Sequence, residues 1–527
     1  MTTFFSNYKH KIKSSEELKT ILGSFPRKKK VIMCHGVFDV VHPGHIRHLL
    51  YAKSKADILV ISITADAHIC KGKYRPHVPQ DLRAINLAAF EMVDYVIIDK
   101  NPTPLSNIAE LQPDYFAKGY EYISSGMHNK TSDEAKIIET YGGEIIFTPG
   151  DIVYSSSGFI NLAPPAIKFE KLLMLMEEHG LSFNKLREVI SSFSNFKIHV
   201  IGDTIVDSYT QTTMIGGQTK TPTMSVLYES RYDCIGGAAI VAKHLRAAGA
   251  VVVFSTVLGQ DQFKDFILCD LQSSGIECKA IIDATRPTTN KNAIVAGNYR
   301  LLKIDTLDNS SISDHVLQEL SNNITDTMCD AVIFSDFRHG IFNRRTIPKL
   351  SAAIKSNVYK VADSQVASRW GNVTDFQNFD LITPNEREAR FALADQDSGI
   401  RPLAASLYDK AKCKTMILKL GDKGILTCCN NRHKELDSFF ILDSFVENVV
   451  DAVGAGDALL SYSTLAMLAS NSEVIASILG SIAAACECEC DYNIPITHER
   501  MLAKINIIEK QANYMNDEIT TLEQTCV

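Results

Sequence analysis

Short apolar runs alternate with longer amphipathic runs along most of the 527 residues. Between Lys30 and Phe159 the runs VIMC, ILVISIT, YVIID and EIIFT are short and rich in β-branched residues, as buried parallel strands are. The run DLRAINLAAFEMV between them has helical spacing. This alternation predicts a doubly wound α/β domain, because parallel strands are joined by helical crossovers.

A second α/β pattern begins at FKIHVIGD, residues 196–203. Its predicted strands are VVVFSTV, AVIFSD, YKVAD, DLITPN and TMILKLG. The segment TKTPTMSVLYESRYDCIGG is too polar and broken for a core helix, so we expect a small β flap there. The two halves show no internal repeat and are expected to be different folds.

A proline pair in NLAPPAIKFE marks a boundary, and the run FEKLLMLMEEHG after it has the apolar spacing of an amphipathic helix. We predict one domain over 28–160, a helical linker over 161–195, a second domain over 196–495 and a helical tail over 496–527.

Charge and hydropathy argue against several classes of partner. The formal net charge is -7, which does not favour nucleic acid or a polybasic membrane surface. No apolar stretch approaches the ~20 residues of a membrane span. The N-terminal residues MTTFFSNYKHKIKSSEELK lack the apolar core and cleavage site of a secretory signal, so a cytoplasmic location is expected.

The stretch HGVFDVVHPGHIRHLLYAK follows the first predicted strand. A strand that ends at a glycine turn and opens into a helix directs backbone N–H groups at an anion. His42 and His45 can donate hydrogen bonds to phosphate oxygens that gain charge as pyrophosphate leaves. We name residues 42–45 the HPGH motif.

Side chains that can neutralise phosphates follow the HPGH motif, namely Lys71, Lys73, Arg75 and Arg83. AKGYEY and YSSSGFI then come at the ends of later apolar runs, where a parallel sheet places its ligands. The pattern G-x-F-D-x-x-H-x-G-H, then R-P-x-x-x-x-x-x-R and a serine-rich stretch, resembles the cytidylyltransferase-like nucleotidyltransferases over nearly all of 28–160. The run VDYVIIDKNPTPLSNIAELQPDYFAKG looks most like the nucleotidyltransferase half of the bifunctional ADP-heptose synthesis enzymes; glycerol-phosphate cytidylyltransferases are a looser match.

This resemblance implies a Rossmann-like nucleotidyltransferase domain in which His42 and His45 stabilise the transition state. It implies a set of nucleotide- and phosphate-binding residues: Gly36, Phe38, Asp39, Lys71, Arg75, Arg83, Lys118, Gly119, Ser155, Ser156 and Ser157. Tyr120 departs from the family pattern, which tends to have a second glycine there.

A second glycine-rich stretch is DAVGAGDALL, in which we name residues 454–457 the GAGD motif. The N–H groups of Ala455, Gly456 and Asp457 can form an anion hole. The Asp457 carboxylate can take a proton from a hydroxyl that attacks a γ-phosphate. The structural alternative is a glycine-rich connector with an aspartate that caps a helix.

The pieces GGAAIVAKHLRAAGA, TPNEREA and LKLGDKGIL precede this motif, and their order resembles the ribokinase-like sugar kinases from residue 196 to about 495. IGDTIVDSY, LLKIDT and SDFRHG look most like the kinase half of the same heptose system. The resemblance implies a ribokinase-like α/β domain with a small β flap. The bifunctional heptose enzymes place their kinase first, so the domain order here is reversed.

The same resemblance implies roles at the second site. Asp457 is the general base, and the anion hole is lined by Gly454, Ala455 and Gly456. Asn385 and Glu388 organise magnesium through water. The residues by the nucleotide are Lys419, Gly421 and Gly424. The residues that face the sugar are Asp203, Asp207, Gly236 and Gly237.

Five positions depart from the kinase pattern, mostly on the sugar side: Ile240, Phe337, His339, Gln365 and Ala452. Our leading hypothesis is a homodimeric, magnesium-dependent bifunctional enzyme. Its kinase half phosphorylates a sugar phosphate, such as a heptose 7-phosphate, at the anomeric hydroxyl. Its other half transfers a nucleotidyl group from ATP or CTP to a sugar 1-phosphate. Two alternatives stay open: a nucleotidyltransferase with a regulatory or altered kinase-like domain, and a cytidylyltransferase for a polyol phosphate.

Overall fold

A computed structural model describes residues 8–69, 75–119, 129–148, 168–215, 224–365, 372–432, 438–490 and 493–525. The chain divides into two compact units. The N-terminal unit runs to Met174 and takes in Asp397–Pro402 and Arg432–Ser438; the C-terminal unit holds the rest. The predicted domain limits of 28–160 and 196–495 stay predictions.

The N-terminal unit contains one parallel sheet of five strands in the order β3-β2-β1-β4-β5. The strands are β1 Val31–Gly36, β2 Ile58–Thr64, β3 Tyr95–Asp99, β4 Tyr115–Gly119 and β5 Glu144–Thr148. The strand order reverses between β1 and β4, and ligands of such sheets bind at the carboxyl ends of the strands beside that point. The predicted doubly wound α/β arrangement is confirmed.

Helices cover this sheet: α1 Ser15–Leu22, α2 Pro43–Lys53, α3 Gln80–Ala88, α4 Leu105–Leu111 and α5 Asn129–Tyr141. Successive residues of β1 enter two separate hydrophobic clusters. Ile32 and Cys34 belong to one, and Val31 and Met33 belong to the other. Both faces of β1 are therefore buried, which explains why its sequence is apolar throughout and does not alternate.

The C-terminal unit contains a sheet of nine strands in the order β10-β9-β6-β13-β14-β15-β16-β17-β18. Its strands are β6 Lys197–Gly202, β9 Val251–Leu258, β10 Glu277–Ile282, β13 Ala331–Asp336, β14 Tyr359–Ser364, β15 Leu381–Ile382, β16 Thr415–Lys419, β17 Ile425–Cys428 and β18 Phe439–Leu442. The last two are antiparallel and the others pair in parallel. All five strands predicted after residue 203 are present.

A separate sheet of four strands forms the β flap, in the order β12-β11-β7-β8. Its strands are β7 Thr204–Met214, β8 Val226–Gly237, β11 Thr289–Ala296 and β12 Tyr299–Thr306. Strand β8 lies in the segment that predicted a flap. β11 and β12 are polar hairpin strands, so they lacked the apolar runs that revealed the core strands.

The helices around these sheets are α6 Lys168–Glu178, α7 Phe183–Ser191, α8 Ala238–Ala247, α9 Gln262–Ser273, α10 Asp314–Asp326, α11 Thr346–Ala352, α12 Glu386–Leu393, α13 Ile400–Ala411, α14 Ala455–Ser470, α15 Glu473–Cys488 and α16 His498–Thr525. Within the ranges given above, each helix is too short or too polar to cross a lipid bilayer.

Candidate active sites

The loop between β1 and α2 packs an aromatic ring beside the HPGH motif. Phe38 has a φ of +49° and a buried ring. A Cβ added to Gly36 would approach Cε2 of that ring to 3.0 Å, so glycine permits the close contact. The ring centroid of Phe38 lies 5.1 Å from that of His45. Gly36 and Phe38 thus shape the wall beside the two histidines.

The two histidines of the HPGH motif lie together at the start of α2, with ring centroids 3.9 Å apart. Nδ1 of His42 accepts a hydrogen bond from Gly44 N at 3.1 Å, and Nδ1 of His45 accepts one from His42 N at 3.4 Å. Each neutral ring therefore carries its proton on Nε2.

Burial keeps both rings neutral near pH 7. It lowers the pKa of His42, and it lowers the pKa of His45 to about 4. His42 and His48 add to the shift of His45, and a hydrogen bond to the Val40 backbone opposes it. A neutral ring with a proton on Nε2 is a hydrogen-bond donor, as the predicted role requires.

Asp39, in the loop between β1 and α2, forms an ion pair with Arg75, which precedes α3. Asp39 is buried, its Oδ1 accepts a hydrogen bond from Val78 N at 3.0 Å, and its Oδ2 lies 3.4 Å from Nη1 of Arg75. Asp39 therefore fixes the entry to α3 and the direction of the Arg75 guanidinium. Arg75 is placed to contribute positive charge beside the motif.

Arg83 differs from its predicted role as a direct phosphate ligand. It is 1% exposed. Its Nε donates to Val78 O at 3.0 Å, its Nη2 to Thr64 O at 2.8 Å and Asp66 Oδ1 at 2.6 Å, and its Nη1 to Val37 O. The guanidinium is occupied by the protein itself, so it fixes the loop after β1.

Of the remaining predicted residues of this site, some lie within the described residues and some do not. Lys118 and Gly119 end β4, and Lys118 forms an ion pair with Glu134. Lys71, Lys73, Tyr120 and Ser155–Ser157 lie outside the described residues.

Sequence reasoning missed a buried polar cluster beneath the loop. His35 precedes Gly36, and its Nδ1 lies 2.9 Å from Ser62 Oγ while its Nε2 lies 3.2 Å from Thr64 Oγ1. Asp99 Oδ2 lies 4.0 Å from the same Nδ1. These residues end β1, β2 and β3, and the signal available was a polar residue at the end of each apolar run.

The GAGD motif begins α14 in the C-terminal unit. Gly454 is the N-cap residue with a φ of +87°, and a Cβ there would lie 2.2 Å from Asn493 Oδ1. Ala455, Gly456 and Asp457 form the first turn, whose backbone N–H groups have no acceptor within the helix. This turn contains the residues that are predicted to form the anion hole.

Asp457 is buried in that turn. Burial raises its pKa to about 8; the negative charges of Asp363, Glu388 and Asp207 add to the shift, and Lys419 opposes it. A carboxylate with such a pKa is a stronger base than an ordinary aspartate.

Lys419 ends β16 and brings an ammonium group to the anion hole. Its Nζ lies 3.0 Å from Asp363 Oδ1 and would lie 3.2 Å from a Cβ on Gly456. Burial disfavours its charged form, but Asp363, Glu388 and Asp457 outweigh that effect and raise its pKa. Gly421 and Gly424 follow in the turn to β17, with φ values of +62° and +84°.

Asn385 and Glu388 cap α12 reciprocally. Asn385 Oδ1 accepts from Glu388 N at 2.8 Å, and Glu388 Oε2 accepts from Asn385 N at 2.7 Å. Glu388 is buried, and its charge acts on both Lys419 and Asp457. Its hard carboxylate oxygens suit magnesium. Among the described residues no group of three or more His, Cys, Asp or Glu side chains could hold a metal ion.

Asp203 differs from its predicted contact with sugar. It is buried, and its Oδ2 accepts from Phe337 N at 3.2 Å and His339 N at 3.1 Å, while its Oδ1 accepts from Ile341 N at 3.5 Å. Its carboxylate therefore holds the loop after β13.

Asp207 and the glycine pair lie together on the β flap. A Cβ on Gly236 would lie 2.4 Å from Asp207 Oδ2, and Gly237 has a φ of +64° where β8 turns into α8. Burial raises the Asp207 pKa, with Lys291 and Lys303 opposing it. The negative charge of Asp207 also adds to the raised pKa of Asp457.

Arg338 is a second residue that sequence reasoning missed. It has a φ of +64° and is buried, its Nη2 donates to Ser364 Oγ at 2.8 Å, and its Nε lies 3.0 Å from Asp336 Oδ2. Ser364 stands between Asp363 and Gln365. The serine hydroxyl and Arg338 thus form one buried network beside the departures at Phe337 and His339.

Two enzyme families match the two units in sequence. Residues 196–498 match the pfkB family carbohydrate kinases, which is more than half of the chain, and the chain belongs to that family. Residues 33–159 match the cytidylyltransferase-like family. The predicted order, with the nucleotidyltransferase domain first, is confirmed.

Proteins similar to this chain include several named bifunctional protein HldE. The one from Campylobacter concisus (strain 13826) is 42% identical over 123 residues, which are 23% of this chain and 26% of the relative. The one from Desulfatibacillum aliphaticivorans is 27% identical over 304 residues, or 56% of this chain and 60% of the relative. The matches thus span less than two thirds of these relatives' lengths.

A solved structure shows the fold of the larger unit. Phosphofructokinase-2 from Escherichia coli, in complex with potassium, superposes with a TM-score of 0.50 over 60% of this chain and 99% of that chain, at 15% identity. The predicted ribokinase-like α/β fold is therefore confirmed.

Proposed function

We propose that this chain is a bifunctional enzyme of nucleotide-activated sugar synthesis. The C-terminal unit transfers the γ-phosphoryl group of ATP to the anomeric hydroxyl of a sugar phosphate, such as a heptose 7-phosphate. The N-terminal unit couples a sugar 1-phosphate to a nucleoside triphosphate, ATP or CTP, and releases pyrophosphate. In the heptose route a separate phosphatase removes the distal phosphate between the two steps.

The observation that carries the kinase proposal is the position of Asp457 inside the anion-hole turn, with the Lys419 ammonium beside Gly456. The sugar oxygen attacks the γ-phosphorus, its proton passes to the Asp457 carboxylate, and the bond to the β-phosphate oxygen breaks. The amides of residues 455–457 and Lys419 stabilise the charge on the transferring group. Asn385 and Glu388 would hold magnesium through water, which supplies further charge neutralisation.

The nucleotidyl transfer rests on the paired histidines. A phosphate oxygen of the sugar 1-phosphate attacks the α-phosphorus, and the bond to the pyrophosphate oxygen breaks. Donors on His42 and His45 stabilise the oxygens that gain charge, and Arg75 adds positive charge nearby.

The kinase is tested by ADP release with a panel of sugar phosphates. We expect turnover with at least one, lost in Asp457→Asn and kept in Asp265→Asn, an exposed aspartate of α9. A silent panel from a chain that still binds ATP would instead favour a regulatory kinase-like unit. The departures Ile240 and His339 on the sugar side favour that second candidate.

The nucleotidyltransferase is tested by pyrophosphate release from ATP and from CTP with heptose 1-phosphate. We expect release with one nucleotide, lost in His45→Ala and kept in His315→Ala, whose ring is exposed. Release only with CTP and a polyol phosphate would support the cytidylyltransferase alternative. A cytoplasmic homodimer also remains part of the proposal, since phosphorylated substrates of both steps are retained inside cells.

A further inference from the structure

A buried lysine on the C-terminal helix α16 is held by two glutamates. The match to the carbohydrate kinase family ends at residue 498, where α16 begins, so that match does not extend along the helix. Lys504 on α16 is 5% exposed. Its Nζ donates to Glu489 Oε1 at 2.7 Å and lies 3.9 Å from Glu447 Oε1. Because a lysine is rarely so buried unless it is paired, the place of Lys504 depends on these carboxylates.

Glu489 joins Lys504 to the chain segment that leads into the GAGD motif. We name residues 447–453 the lead segment. The Oε1 atom of Glu489 that accepts from Lys504 also accepts from Glu447 N at 3.0 Å. Gln511, two turns after Lys504 on α16, donates from Nε2 to Glu447 Oε1 at 2.9 Å. The helix α16 therefore fixes the first residue of the lead segment through two of its side chains.

Backbone hydrogen bonds attach the rest of the lead segment to the end of α15. Val450 N donates to Cys488 O at 2.8 Å, and Asp451 N donates to the same oxygen at 3.2 Å. Asp451 Oδ1 accepts from Val453 N at 3.0 Å, directly before Gly454, the N-cap residue of α14. The contacts that fix the lead segment therefore also fix where the GAGD turn begins.

Apolar packing does little to hold the lead segment. Val449, Val450 and Val453 are 69%, 57% and 59% exposed. Side chains this exposed bury little apolar surface, and the stabilisation from burial is proportional to the apolar area removed from water. The position of the lead segment therefore depends on its hydrogen bonds and on the contact between Lys504 and Glu489.

We propose that Lys504 is a positioning residue for the phosphoryl transfer. It acts through Glu489 and the lead segment, and it keeps the backbone N–H groups of the GAGD turn directed at the transferring group. Donors of an anion hole stabilise a transition state because they are in place before the reaction begins. A displacement of about 1 Å can lower the rate by about 10²-fold. This inference rests on the proposed kinase activity and adds to it a residue that acts from a distance.

The test uses Lys504→Met in the full chain, a change that keeps the length of the side chain and removes its charge. We expect kinase kcat to fall about 30-fold while KM for ATP stays within about threefold, because the loss falls on the transition state. Lys504→Arg keeps the positive charge and should retain kcat within about threefold. Two controls should leave kcat unchanged: Lys510→Met, an exposed lysine of α16, and Arg187→Gln, which removes an ion pair between α7 and Glu509 of α16.

A binding measurement separates positioning from a loss of folded protein. Calorimetric titration, with the sugar phosphate that is turned over, compares magnesium ADP plus aluminium fluoride, a mimic of the transferring phosphoryl group, with magnesium ADP alone. In Lys504→Met the Kd of the mimic should rise about 30-fold and that of ADP should stay within about threefold. A smaller folded fraction would lower the stoichiometry and leave both Kd values unchanged. An equal rise of both Kd values, or a rise of neither, overturns the proposal.

If no sugar phosphate is turned over, backbone hydrogen exchange tests the positioning role without the kinase reaction. In Lys504→Met the amides of Val450 and Asp451 should exchange about tenfold faster, and in Arg187→Gln they should not change. Faster exchange would support the contact in a chain without kinase activity, and unchanged exchange would overturn it. If Lys504→Met does not fold, Glu489→Ala, a change of a partly exposed side chain, takes its place with the same expected results.

Discussion

The two motifs use the same local geometry with opposite electrostatics. In each, a glycine-containing stretch leads into a helix whose start carries the predicted catalytic residues. At the HPGH motif burial lowers the pKa of His45 to about 4, and at the GAGD motif burial raises the pKa of Asp457 to about 8. Burial disfavours charge in both cases, so it stabilises the neutral form of a base and of an acid alike.

The difference suits two reactions. A neutral imidazole with its proton on Nε2 donates a hydrogen bond to departing pyrophosphate without accepting a proton itself. A carboxyl group with a raised pKa is a strong base once it is ionised, as removal of a hydroxyl proton requires. The surroundings also differ: three further acidic residues act on Asp457, while Arg75 pairs with Asp39 in the loop that leads to the histidines.

The largest effect on activity is expected for Asp457, because proton removal depends on its carboxylate. Asp457→Asn keeps the size of the side chain and removes the base, so kinase kcat should fall by about 10³-fold or more. Pyrophosphate release by the same variant should not change. The two assays on one preparation supply the control, and a drop in both would show that Asn at 457 damages the fold.

His45→Ala is the counterpart in the other unit. It removes one donor from the pyrophosphate oxygens, so kcat for nucleotidyl transfer should fall by about 10²-fold. Kinase activity should stay unchanged. A loss of less than twofold would mean that His42 and its neighbours, and not His45, stabilise the pyrophosphate oxygens. That result would contradict the proposed difference between the two motifs.

Much of this arrangement was predictable because it is local. The strand-turn-helix order around Gly36 follows from an apolar run that ends at glycine, and the start of the helix after Gly454 follows from a glycine-rich stretch before an apolar run. The roles of Arg83 and Asp203 were not predictable, because each depends on backbone atoms distant in sequence, such as Thr64 O for Arg83 and His339 N for Asp203. The sequence alone does not show whether an arginine or aspartate near a phosphate motif contacts a ligand or the protein backbone.

The β flap shows the same difficulty in a sheet. Which face a strand residue occupies depends on register, and a shift by one residue reverses every side chain. Strands β11 and β12 have polar residues on both faces, so their sequence does not fix that register. The pairing of Lys291 with Asp207 in the structure fixes which residues of β11 share a face with Asp207.

Between pH 7 and pH 9 the changes in kcat/KM of the two activities should differ by about tenfold. Between pH 7 and pH 9 phosphate groups are already ionised, with a second pKa near 6. Asp457, with a pKa of about 8, loses its proton as pH rises through that window, so kinase kcat/KM should increase about tenfold. His45 is neutral throughout the same window, so kcat/KM for pyrophosphate release should stay flat. Identical profiles for both activities would contradict the opposite roles of burial.

The smallest change in activity is expected for the two arginines of the N-terminal unit. Substituting each of them distinguishes an arginine that fixes a loop from an arginine that contacts a ligand. Arg83→Lys removes donors from Val37 O, Thr64 O and Asp66, and this should lower the free energy of unfolding by about 3 kcal/mol. The folded fraction should keep its KM for nucleotide. Arg75→Lys keeps the charge but loses the planar fork, so KM for nucleotide should rise about threefold with little change in stability. Denaturant unfolding and KM measured on both variants check the assignment; a stable Arg83→Lys chain with a raised KM would return Arg83 to the phosphate site.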